Sequence, residues 1–177
     1  MPRGFRWLYV AAAAVITLAV LSVSYSSYEK VGVKRPLLSE LSAHSDVAGA
    51  EVRREGPETV VDIDLEKVPD LAVTYKALDE IVERHMGTAA YRIRLEDAGS
   101  PGLEAAYHLI HFYVEEAAVR GTFGEMISES SKRLEEAGYD DYKISVDKDR
   151  IYVQISDSSG YLYRIVDREP VKGGAGP

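Results

Sequence analysis

The spacing of hydrophobic residues changes along this chain from unbroken, to alternate, to helical, and back to alternate. The unbroken stretch is residues 7–25 (WLYVAAAAVITLAVLSVSY), which contains no charged residue. As a helix it would be roughly 28 Å long, close to the ~30 Å hydrocarbon core of a bilayer. Arg3 and Arg6 precede it without an acidic neighbour, so the positive-inside rule leaves residues 1–6 in the cytoplasm and carries the rest of the chain outside. Trp7 and Tyr9 at one end, and Tyr25 and Tyr28 at the other, suit the two interfacial belts. The competing reading is a secretory signal peptide cleaved near Ser22-Val23-Ser24, giving a secreted protein; the length of the apolar run favours a retained signal anchor.

Residues 26–47 are mixed and irregular, and Pro36 breaks any helix emerging from the membrane, so this segment reads as a stalk with at most a short helix at 36–42. The alternating pattern begins beyond it. A hairpin is expected from strands at 50–54 and 59–65 around the turn residues Glu55-Gly56-Pro57-Glu58, with Val61, Ile63 and Leu65 buried and Asp62 and Asp64 solvated. From Pro69 to Met86 the period becomes helical, with Leu71, Tyr75, Leu78 and Val82 in one stripe and Gly87 as the stop. Tyr91, Ile93 and Leu95 then alternate with Arg92, Arg94 and Glu96. Strand, helix, strand predicts a parallel crossover unit, with Asp62 and Asp64 facing Arg92 and Arg94 across the sheet.

The longest helical pattern is 101–120 (PGLEAAYHLIHFYVEEAAVR), apolar on most of its circumference and therefore expected at the centre of the domain. Gly121 ends it, and Thr122-Phe123-Gly124-Glu125 has the form of a capping box for a second helix reaching Gly138, with Phe123, Ile127 and Leu134 buried. The period then falls to two. Tyr142, Ile144 and Val146, then Ile151, Val153 and Ile155, then Tyr161, Tyr163 and Ile165 predict a three-stranded antiparallel meander with turns at 147–150 and 157–160. The tail 170–177 (PVKGGAGP) offers nothing to pack and reads as disordered. The expected fold class is α+β: a mixed α/β two-layer sandwich over residues 48–169, behind an N-terminal transmembrane helix.

Charge sharpens the picture of partners. The chain of 177 residues carries −8, and because residues 1–35 are net basic, −12 falls on the remainder. An acidic folded part argues against nucleic acid. There is no cysteine, which removes disulfides, thiolate metal sites and thiol nucleophiles together.

Candidate chemistry is sparse. Glu104, His108, His111 and Glu115 stack on one line of the 101–120 helix, and imidazole with carboxylate suits zinc or another divalent ion. The bland alternative is i, i+4 hydrogen bonding within the helix. No His-Glu-x-x-His, Gly-x-Ser-x-Gly, P-loop or dinucleotide fingerprint occurs, so no catalytic residue or organic cofactor is expected. Asp62, Asp64 and Asp97 lie near the C-terminal ends of the expected parallel strands, where open sheets bind ligands. The 12 tyrosines against 3 phenylalanines point to contact surface with a polar tip, and Tyr152, Tyr161 and Tyr163 are the candidates for a protein interface. Together these features point to a single-pass, membrane-anchored extracytoplasmic domain of the cell envelope. It would act by binding a protein partner or itself, the alternative being a metal-binding protein or metal-dependent enzyme using the Glu/His stripe.

Overall fold

The computed structural model describes residues 34–168, together with Val15 and Thr17, both helical. The expected cytoplasmic N-terminus, nearly all of the transmembrane segment 7–25 with its cleavage site, and the tail 170–177 lie outside the described residues. No helix among the described residues is long and apolar enough to cross a membrane.

Residues 34–168 form ten elements in order: α1 (Lys34–Leu41), β1 (Val47–Glu55), β2 (Glu58–Leu65), α2 (Leu71–Met86), β3 (Tyr91–Glu96), α3 (Pro101–Arg120), α4 (Phe123–Glu136), β4 (Asp141–Val146), β5 (Arg150–Asp157) and β6 (Gly160–Asp167). The class is α+β: residues 34–168 hold four helices and two separate three-stranded sheets, ordered β1-β2-β3 and β4-β5-β6. β1 and β2 form an antiparallel hairpin whose turn uses Gly56 at φ 65°, a conformation other residues adopt at a cost. β2 and β3 are parallel, as the crossover pattern predicts, with Asp62 opposite Arg94. Asp64, however, stands opposite Glu96 rather than an arginine.

The helix boundaries follow their capping chemistry. Asp70 accepts the N–H groups of Ala72 and Val73 at 3.0 and 3.2 Å at the start of α2, and the expected stripe of Leu71, Tyr75, Leu78 and Val82 is buried. Ser100 accepts the N–H of Leu103 at 3.2 Å, Pro101 occupies the first turn, and Gly121 closes α3 in the left-handed conformation at φ 76°. The capping box expected at Thr122 does not form: its backbone, at φ −81° and ψ 50°, is not extended, and its side chain makes no cap. The face of α4 also differs from expectation. Met126, Ser130 and Leu134, at i, i+4, i+8, point inward, which turns Ile127 out to solvent.

Two cores result. One joins α1, β1, β2, β3 and α2 with Tyr152 and Tyr163; the other joins α3 and α4 with Ile151, Val153, Ile155 and Leu162. β5 belongs to both, because every residue from Ile151 to Ser156 is buried. The expected two layers therefore become more. The α3–α4 pair lies against one face of the second sheet, and α2 with the first sheet lies against part of the other. Gly160 begins β6 where the carbonyl of Ala98 passes so closely that a Cβ would lie 2.1 Å from its oxygen.

The stalk expected at 26–47 is corrected over its C-terminal part. Leu37 and Leu41 of α1 are wholly buried in the first core, so the folded part includes α1 as well as residues from 48 onward. The Lys34 ammonium donates to the Val52 carbonyl at 3.2 Å, and His85 of α2 bonds Glu40 at 2.7 Å.

Candidate functional site

The Glu/His stripe lies on α3, but its members are engaged separately. Glu104 pairs with Arg164 of β6. His111 Nδ1 donates to the His108 carbonyl at 2.8 Å, holding that ring against its own helix, and the two imidazoles meet edge-on at 5.3 Å. His108 and Glu115 are exposed. Among the described residues, no three His, Asp or Glu side chains converge in a way that could hold a metal ion.

The three candidate interface tyrosines turn inward. Tyr152 is 1% exposed and Tyr163 3%, with Tyr161 half-buried, so the surface expected of them is not at the surface. The reason is that the Tyr152 face of β5, which the alternating pattern assigns to solvent, is covered as well, and Tyr161 and Tyr163 of β6 lie on that same face of the sheet. There the hydroxyls serve the loop from β2 to α2. Tyr161 donates to the Leu65 carbonyl at 2.6 Å, and Tyr163 donates to the Glu66 carbonyl at 3.1 Å while accepting the Val68 N–H at 2.7 Å. Gln154 adds bonds to Leu71 N–H and the Val68 carbonyl at 2.9 and 3.3 Å. Burial pushes the Tyr163 phenol up to about 12, so it stays a neutral donor. These tyrosines join the two halves of one molecule.

The three aspartates part company. Asp62, expected in solvent, is 5% exposed because Arg53 and Arg94 roof the central strand. The Arg53 Nε–H donates to it at 2.7 Å, and this bond holds the carboxyl below its ordinary range. Its other oxygen lies 3.5 Å from Arg94, within ion-pair range but without a hydrogen bond. Asp64 is exposed on the same face. Asp97 belongs to a different setting: it accepts the Tyr163 N–H at 2.8 Å and the Arg164 guanidinium at 2.9 Å, and so ties the end of β3 to the middle of β6.

Two surface features emerge that the periodicity did not single out. The first is a ridge on α3. Ala105, Leu109, Phe112, Glu116 and Val119 are all exposed, Phe112 at 74% and Val119 at 58%. Their spacing of 4, 3, 4, 3 is that of a coiled-coil seam. The signal was present in the helix, but a helix apolar on most sides does not reveal which side the domain leaves bare.

The second is a cleft of about 540 Å³ between β3 and β6, one edge strand of each sheet. Arg92, Arg94, Arg150 and Arg164 line it. Arg150 bonds Asp79 at 2.8 Å and Asp167 at 3.2 Å, and its guanidinium lies 4.9 Å above the Tyr75 ring. Tyr91 donates to the same Asp79 at 2.8 Å. Arg92 pairs with Glu58 at 2.9 Å. No family model matches the sequence, and a search of curated proteins finds no match.

Proposed function

We propose that this chain is a single-pass, membrane-anchored extracytoplasmic domain of the cell envelope that works by self-assembly, with α3 as the contact helix. The ridge of Leu109, Phe112 and Val119 carries this reading. Large exposed apolar side chains on seam spacing are what a helix presents to another helix. A second copy fits it best, because the flank of the ridge is self-complementary. His108 and Glu115 lie on the same side, seven residues apart and both exposed. Two α3 helices packed antiparallel about a two-fold axis near Phe112 set His108 of each copy against Glu115 of the other. The anchor and its orientation rest on the charge-free run 7–25 behind Arg3 and Arg6.

Crosslinking of the full chain in membranes tests this reading. The wild type should give a dimer band, Phe112→Glu should abolish it, and His108→Glu should weaken it by several-fold. His108→Glu combined with Glu115→His should restore the band. A wild-type chain that remains uncrosslinked, or a Phe112→Glu chain that crosslinks like wild type, would remove self-assembly through α3.

A further inference from the structure

We infer that the dimer formed through α3 binds a divalent metal ion of the zinc class on each side of its two-fold axis, held by His108 and His111 of one copy and Glu115 of the other. The inference rests on the self-assembly reading and adds to it a ligand that one chain alone does not enclose.

Half of the site is already shaped within one chain. His108 and His111 are three residues apart on the same side of α3, beside the ridge. Their rings lie 5.3 Å apart, centre to centre, at 89°. Two imidazoles bound to one tetrahedral zinc, each through a nitrogen about 2.0–2.1 Å from the ion, have ring centres roughly 5 Å apart, so this spacing suits a shared ion. His111 is also in the tautomer that a metal needs. A carbonyl can only accept, so the bond from Nδ1 to the His108 carbonyl at 2.8 Å puts the ring proton on Nδ1 and leaves the Nε2 lone pair for a ligand. Donation of the other ring N–H to a backbone carbonyl is the usual support of a metal-bound histidine. The Phe112 ring packs on His111 at 3.9 Å and so braces the imidazole next to the seam.

A third ligand is what one chain lacks. Glu104, on the same line, is committed to Arg164 of β6. Glu116 is paired with Arg120 one turn along its own helix. Glu115 is exposed and makes no ion pair among the described residues, yet within one chain it does not converge with the two histidines. Antiparallel packing changes this, because a two-fold axis beside Phe112 sets Glu115 of the second copy next to His108. Two imidazoles and a carboxylate, with water in the fourth position, make a full tetrahedral set for zinc. Symmetry gives two such sites, one per chain. A net charge of −8 on each chain also favours a cation at a surface where two copies meet. Since the ion binds the pair better than the separate chains, it strengthens assembly by mass action.

The test is equilibrium dialysis of zinc against the full chain in detergent micelles, alongside crosslinking with added zinc or with a chelator. The wild type should bind one zinc per chain saturably and give several-fold more dimer with zinc than with chelator. His111 stands outside the contact of His108 with Glu115. His111→Ala should therefore weaken zinc binding at least tenfold while its chelator-treated dimer matches that of the wild type. A His108→Ala, His111→Ala chain and a Glu115→Gln chain should each bind zinc at least tenfold more weakly. Mixed together they should recover one zinc per mixed dimer, because one intact histidine pair then meets one intact Glu115. No recovery on mixing overturns the inference, as does zinc binding by monomeric Phe112→Glu equal to that of the wild type. A wild-type dimer that takes up no zinc at submillimolar concentration removes the metal and leaves self-assembly standing. A wild type that neither crosslinks nor binds zinc removes both.

Discussion

Asp147 shows how much one turn residue does here. Its Oδ1 accepts the N–H groups of Asp149 and Arg150 at 2.9 and 2.8 Å, closing the β4–β5 turn, and its Oδ2 accepts the Tyr152 hydroxyl at 2.8 Å. Lys76 of α2 lies 3.1 Å from the same oxygen. Burial alone would raise this carboxyl, but the hydrogen bonds from Asp149, Tyr152, Arg150 and Lys76 outweigh it and hold the group well below the ordinary range. A folded value below the unfolded one of about 3.9 means the stabilisation is complete above that pH and is lost progressively as pH falls from there to the folded value. Asp62 acts in the same direction through Arg53. Urea unfolding of the wild type should therefore weaken steeply below about pH 4. Asp147→Asn should cost about 1–3 kcal/mol at pH 7 and show a shallower loss below pH 4. Parallel pH profiles for the two chains would refute this role. The sequence marks Asp147 as a turn former; its tie to Tyr152 depends on β5 being covered on its second face, which local pattern does not reveal.

At the scale of elements, the starts of α3 and α4 make a paired experiment. Ser100 and Thr122 carry equally good start signals in sequence, yet only Ser100 bonds into its helix, accepting the Leu103 N–H at 3.2 Å. Gly121, in its left-handed conformation, reverses the chain so abruptly that Thr122 leaves the extended region a cap requires. Ser100→Ala should cost about 1 kcal/mol in chemical denaturation, and Thr122→Ala less than about 0.5. Equal losses would mean that Thr122 caps after all. The stripe of α2 and the alternation of β3 were legible because each has one buried face, and one face is what periodicity reports. On α4 Leu134 is buried and Phe123 packs partly buried against the same core, as the apolar pattern predicts, but Ile127 is exposed. The fold instead follows Met126, Ser130 and Leu134, which suit the close packing of α4 on α3.

For the whole molecule, the reach of α1 is the point at which chain order and architecture part. Leu37 and Leu41 are completely buried among residues of β1, β2 and α2, although they come from a segment with no sustained pattern. Leu37→Ala should destabilise the domain by about 2–5 kcal/mol in urea unfolding, the range for a large aliphatic side chain deleted from a core. A stalk residue would show almost no change. An eight-residue helix is too short for periodicity to identify and too short to be stable alone, so only the surface it covers makes it part of the fold.

By itself the sequence determined the succession of strands and helices, the parallel crossover, the meander and the acidity of the domain, because these depend on local spacing, turn chemistry and summed charge. Tertiary structure alone decided that β5 is buried on both faces, that Tyr152 and Tyr163 bind within the molecule, and that Arg92, Arg94, Arg150 and Arg164 surround one cleft. Each of these depends on which surfaces distant segments cover, and residues 90–97 and 150–167 are brought together by packing that no local pattern encodes.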